Sequence, residues 1–265
     1  MDPTDVPWPG LGTSGVEDEE CTETVERALA AGYRHVDTAQ MYDNEAAVGD
    51  GIAAADVDRE DVFLATKIHP SNLAREDVLA TAEESLDRLG VDAVDLLYVH
   101  WPLQAYDPAE TLSAFDQLYD EGLTRAVGVS NFTPELLDEA SDLLDAPIAA
   151  HQVECHPYLQ QDHLVERARE DGHHLVAYSP LAQGAVVDDP TLTEIAADHD
   201  ATAAQVALAW LADRGPVVPI PQGRGDHVEE NFGAREIELT DAEHDRIADL
   251  DESRRLIDPD GAAWN

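Results

Sequence analysis

Lys67 is the only lysine in the 265 residues; the remaining cations among 15 Lys and Arg are arginines, set against 57 Asp and Glu. It closes Phe63-Leu-Ala-Thr-Lys67, an apolar run whose pattern predicts the end of a buried strand. Arginine there would bring a wide guanidinium that never deprotonates, whereas lysine brings a compact ammonium that responds to burial. Lys67 is therefore weighed first as a chemical group, with a leftover surface lysine as the plain alternative. Three further residues stand at similar places. Asp37 ends the run Arg34–Asp37, Tyr42 follows five residues later, and His100 follows the run Ala93–Val99. Together they suggest a proton donor. A free phenol has a pKa of about 10, and a nearby ammonium lowers it by stabilising the phenolate. A carboxylate beside the ammonium keeps it charged and aimed, and a histidine adds a donor for an oxygen. The expected product is a tuned general acid for a carbonyl becoming an alkoxide. Singly, each has a dull reading: Asp37 as a helix cap, His100 as a satisfied buried histidine, Tyr42 as core.

The elements that must position these groups alternate. Apolar, β-branched runs at Gly10–Thr13, Arg34–Asp37, Val62–Thr66, Ala93–Val99, Arg125–Val129, Ala149–Val153, His174–Tyr178 and Val217–Ile220 predict strands. Amphipathic stretches between them predict helices, from Thr22–Ala31 to a last one at Asp241–Leu250 opened by Thr240 as N-cap with Glu243 three residues on. Strand followed by helix eight times over implies an α/β fold, a parallel sheet closed into a (β/α)8 TIM barrel. The only early glycine pair, Gly10-Leu-Gly12, lacks the frame of a dinucleotide-binding turn. No linker or long repeat interrupts the chain, so residues 1–265 are expected to form one domain. Polar residues recur at the strand ends: Ser130 and Asn131 after the fifth run, Gln152 in the sixth, Tyr178 and Ser179 at the seventh, Gln222 after the eighth. In a barrel these ends converge on one face.

The net charge of −42 accompanies 43% hydrophobic residues, ample for a core. The acidic residues are spread along the chain. Such a surface suits molar salt, where charge is screened within about 3 Å. A salt-accumulating, halophilic cytoplasm is the leading expectation, and a specialised acidic binding protein the lesser one. Nucleic acid and anionic membranes are disfavoured, because their binding needs clustered cations. Cys21 and Cys155 give neither a disulfide framework nor zinc spacing, and no metal is expected. Asp2 and Asp5 stand where a signal peptide would carry basic residues, and no apolar run approaches a membrane span. A cytoplasmic monomer is expected.

Longer segments now carry a resemblance. Gly32-Tyr-Arg-His-Val-Asp37-Thr-Ala-Gln-Met-Tyr42-Asp-Asn-Glu45, Ala65-Thr-Lys67, Leu97-Tyr-Val-His100-Trp-Pro102, Gly128-Val-Ser-Asn131-Phe, His151-Gln-Val-Glu-Cys-His-Pro157-Tyr and Ala177-Tyr-Ser-Pro-Leu181 resemble the aldo-keto reductase family, of the short-loop microbial type. The resemblance implies nicotinamide-dependent carbonyl reduction, with Tyr42 as general acid, Lys67 and Asp37 tuning it, and His100 orienting a small carbonyl substrate. It places Ser130, Asn131 and Gln152 against the carboxamide and Tyr178 under the ring, with Ser179 and Leu181 beside them, and Glu230 and Asn231 at the adenine. The far end departs from the family's pattern. In Ile220-Pro-Gln222-Gly223-Arg224-Gly225-Asp226-His227, Gln222 stands where the family has a lysine, Gly223 where it has a hydroxyl and His227 where it has an arginine. Arg224 is the new phosphate partner, or else an arginine on a solvated loop. NADP(H) is thus favoured, with NAD(H) as the alternative. Ser14 replaces a pocket-lining tryptophan while Trp101 remains as a wall. Leu103–Pro108 and the tail after Leu250 are short, which suggests an open pocket for small or polar carbonyls such as 2-oxoaldehydes, keto-sugar acids and simple aldehydes. Two rivals are carried: a Schiff-base aldolase using Lys67, opposed by Asp37, and a cofactor-sensing binding protein on the same scaffold.

Overall fold

The computed structural model describes residues 5–264; Asp2 and the outermost residues of the expected domain lie outside the described residues. Eight strands run parallel in chain order: β1 (Leu11–Gly12), β2 (His35–Asp37), β3 (Phe63–Ile68), β4 (Leu96–Val99), β5 (Val127–Ser130), β6 (Ile148–Glu154), β7 (His174–Tyr178) and β8 (Val217–Pro219). Gly10 N–H to Pro219 C=O and Gly12 N–H to Pro221 C=O, both 3.0 Å, join the last strand to the first and close the barrel. The helices are α1 (Asp18–Ala31), α2 (Glu45–Ala54), α3 (Arg75–Leu89), α4 (Pro108–Asp120), α5 (Pro134–Leu143), α6 (Asp162–Asp171), α7 (Pro190–Asp198), α8 (Ala203–Ala212), α9 (His227–Phe232) and α10 (Asp241–Ala248).

Alternation along each strand divides the core into two layers. Phe63, Ala65, Leu96, Tyr98, Val176 and Val218 fill the barrel interior. Leu64, Leu97, Val127, Val129 and Leu175 face outward and pack against the helices. Tyr98 takes up interior space that Gly128 leaves free: a Cβ at residue 128 would meet the tyrosine ring at 2.5 Å. Asp107, Thr133 and Asp189 accept first-turn N–H groups of α4, α5 and α7, each followed by a proline that fits the first helical position. The capping box expected at Thr240 and Glu243 is present.

Two boundaries differ in a way that matters. β3 runs to Ile68, so Lys67 lies inside it and shares the inward face of Phe63 and Ala65. β4 begins at Leu96 because Asp95 turns its carboxylate to the Leu64 N–H at 2.9 Å and to Arg59 and Arg125. Beyond α10 the tail forms no helix or strand among the described residues.

Candidate active site

Lys67 and Asp37 are buried side by side in the barrel interior, at 0% and 1% exposure. Lys67 Nζ donates to Asp37 and, at 2.8 Å, to the Thr38 carbonyl; Tyr42 Oη lies 3.4 Å away. The other Asp37 oxygen accepts from Gln152 Nε2 at 2.8 Å. The Tyr42 and His100 rings meet edge to face, with centroids 5.8 Å apart. All four predicted catalytic residues are thus brought together, and Asp37, Tyr42 and His100 line one cavity of about 640 Å³.

Burial would discharge Lys67, but Asp37, helped by Tyr42, outweighs it and holds the ammonium above its ordinary value. A permanently charged Lys67 is a poor nucleophile, which counts against a Schiff-base role. Burial pushes the Tyr42 phenol upward; the Lys67 charge opposes this and Asp37 adds to it. The expected net lowering is therefore not found, because desolvation of the phenolate exceeds the pull of the ammonium. The phenol consequently keeps its proton at neutral pH, as an acid must. Burial, with Lys67 and His69 adding to it, holds His100 well below the usual histidine range, so its imidazole is neutral.

The turn Gln40–Tyr42 that presents the phenol is fixed on both flanks. Gln40 donates to the Thr81 carbonyl and Ser85 Oγ and accepts from His69 N–H and Asn72. Asn44 donates to the Thr13 and Val16 carbonyls and accepts from Thr38 Oγ1. Glu45 is buried between Thr66 and Arg88. Sequence reasoning assigned no role to these three; their signal was a set of polar residues crowded between a strand end and an apolar helix.

Ser130, Asn131, Gln152, Tyr178, Ser179 and Leu181 all line the same cavity. Tyr178 Oη donates to Asn131 Oδ1 at 2.9 Å, and Asn131 Nδ2 donates to the His100 carbonyl and Ser130 Oγ. These bonds fix the ring of Tyr178 against the polar wall. Asn131, Ser179 and Gln183 adopt left-handed backbone at φ 64, 49 and 53. Non-glycine residues do so at a cost of about 1–3 kcal/mol each, and such strain gathers at binding sites.

The predicted phosphate end is arranged differently. Gln222 lines the cavity, yet its amide donates to the Ser14 carbonyl. Arg224 reaches across to the Gly15 carbonyl and lies 3.9 Å from Glu20. Both side chains thus tie the loop after β8 to the loop after β1. His227 pairs with Glu230 at 3.1 Å, and Asn231 is buried with Nδ2 3.4 Å from the Gln222 carbonyl. None of Arg224, His227, Glu230 and Asn231 lines the cavity.

At the substrate mouth, Ser14 lines the cavity together with the Tyr42 phenol, so the position read as a missing wall stands in the lining the acid shares. Trp101 is a wall, as expected. The tail is a second one, which the sequence did not reveal. Ile257 lines the cavity, and Trp264 packs on Trp101 at 5.6 Å between centroids.

Known proteins are similar to this chain in sequence and fold. The chain is 40% identical over 261 residues to methylglyoxal reductase DkgB of Escherichia coli O157:H7, covering 97% of this chain and 98% of the relative. Similarity extends to an uncharacterized oxidoreductase, YtbE, of Bacillus subtilis strain 168, at 38% identity with 97% and 93% covered. A solved structure of a putative 2,5-diketo-D-gluconic acid reductase B superposes with a TM-score of 0.95 at 39% identity, covering 99% of this chain and 94% of that one. The Bombyx mori aldo-keto reductase in complex with NADP gives 0.89 at 32% identity, with 96% and 92% covered. Residues 9–252 match the description Aldo/keto reductase family. With a barrel of eight parallel strands and Asp37, Tyr42, Lys67 and His100 gathered at one mouth, the chain belongs to the aldo/keto reductase family and is an oxidoreductase of carbonyl compounds.

Proposed function

We propose that this enzyme reduces small aldehydes and ketones, 2-oxoaldehydes foremost, to alcohols with NADPH, and that Tyr42 is the proton donor. The observation that carries the reading is the buried Asp37–Lys67 pair within 3.4 Å of a phenol that opens on the cavity. The lining fits a nicotinamide: a ring held by its hydroxyl at Tyr178, a polar wall of Ser130, Asn131 and Gln152, and strained backbone around them. When bound, the nicotinamide supplies the hydride. The chain does the rest. Tyr42 Oη and the neutral His100 imidazole hold the carbonyl oxygen, Tyr42 gives it a proton, and the Lys67 charge stabilises the phenolate left behind. Asp37 keeps that charge in place. NADPH is favoured over NADH because Arg224 is a cation able to grip a phosphate once it leaves the Gly15 carbonyl. The relatives named for methylglyoxal and diketogluconate support small, oxygen-rich substrates. The charge of −42 supports work in concentrated salt, as a monomer in the cytoplasm.

The test is oxidation of NADPH, and separately NADH, with methylglyoxal and a small carbonyl panel across a KCl series. Turnover in concentrated KCl, abolished in Tyr42→Phe while cofactor still binds, is the expected result. Retained turnover in that variant would remove Tyr42 as the acid. Full activity in dilute buffer would overturn the salt adaptation.

A further inference from the structure

We infer that Glu154 is a positioning residue that ties the C-terminal tail over the substrate mouth and so limits the size of carbonyl compound admitted; this rests on the reductase reading. Glu154 is the last residue of β6, two places beyond the Gln152 that holds Asp37, and it is fully buried. A buried carboxylate needs several donors to offset its lost hydration. Two of them come from the tail: Leu256 N–H at 2.8 Å to one oxygen and Ile257 N–H at 3.0 Å to the other. A third is His156. Its Nδ1 accepts the Tyr158 N–H at 3.3 Å, so Nε2 carries the proton and donates to Glu154 Oε1 at 3.0 Å. Arg255 Nη1 stands 4.0 Å from Oε2 and adds charge.

These bonds act where no ladder does, because the tail forms no helix or strand among the described residues. Their consequence falls on the cavity. Ile257 is held in its lining, and Arg255 stacks at 4.0 Å on Trp264, which packs on the cavity wall Trp101. The Tyr158 carbonyl anchors the tail earlier, through Glu252 and Arg254 N–H, but leaves the wall itself to Glu154. The barrel could close without this carboxylate. The apolar wall over the acid could not keep its place.

Glu154→Gln keeps the shape, but its amide nitrogen faces a backbone donor. Leu256→Pro deletes one of the two tail donors without touching β6, and serves should the first variant fold poorly. Two readouts are taken: hydrogen exchange of the free protein, at residues 256 and 257 in Glu154→Gln and at residue 257 in Leu256→Pro, and kcat and KM for methylglyoxal against the bulkier phenylglyoxal. Exchange should rise about tenfold, the equivalent of one hydrogen bond to a charged group. The phenylglyoxal-to-methylglyoxal ratio of kcat/KM should rise several-fold, with kcat for methylglyoxal kept. Unchanged exchange would overturn the tie, and an unchanged ratio in a variant whose tail exchanges faster would overturn the size limit. Absence of turnover of any carbonyl by the unaltered enzyme would instead remove the reductase reading, while the exchange data still decide the tie.

Discussion

Lys67→Met separates the electrostatic role of the ammonium from its structural one. At the 3.4 Å between Nζ and Tyr42 Oη, an effective dielectric of about 20 gives roughly 5 kcal/mol of attraction between ammonium and phenolate. The proton is about half transferred when the barrier is crossed, so about 2.5 kcal/mol of this is expressed. The expected loss in kcat is roughly 70-fold, with little change in KM. The same substitution strands Asp37, which keeps the Gln152 amide as its remaining side-chain donor. Breaking a buried pair on one side costs about 3–5 kcal/mol of stability. Asp37→Asn combined with Lys67→Met removes the stranded charge and should recover part of that stability without recovering rate. The assay pairs steady-state cofactor oxidation with chemical denaturation, both in concentrated KCl. A Lys67→Met enzyme within threefold of the unaltered kcat would refute the reasoning, as would recovery of kcat in the double variant.

Arg224→Ala should raise KM for NADPH about tenfold, the size of one charge-assisted contact, and leave NADH almost untouched; an equal effect on both cofactors would place Arg224 outside the phosphate site. Acid should unfold the barrel through its buried histidines. Burial drives His35 down to about 4 and His151 to about 3, so both stay neutral when folded, whereas the unfolded chain takes up protons near 6.5. Stability therefore falls as the pH drops below 6.5, by about 2 kcal/mol for each by pH 5, read as a falling urea midpoint; a flat midpoint between pH 7 and 5 would refute it.

The barrel was legible because each strand is a short apolar run set off from its neighbours by helical period, a local property of the chain. Lys67 was legible as a chemical group but was expected at a strand end, since nothing local tells of an Asp37 across the sheet that lets a charge continue the strand inward. The net direction for Tyr42 was misjudged for the same reason: residue types give the neighbouring charge, while desolvation belongs to the assembled cavity. Arg224 was read as the phosphate partner and Gln222 as the residue standing in for the family's lysine, and their bonds to Gly15 and Ser14 close a gap that the sequence does not display. The tail has no periodicity to read, and what orders it is a carboxylate some hundred residues away.

The solitude of Lys67 also makes the protein a reporter of its own opening. Amine-directed reagents find one side-chain target, and it is wholly enclosed. Acylation at residue 67 therefore requires the barrel to part, so the rate of single-site labelling measures how often it does, without any engineered probe.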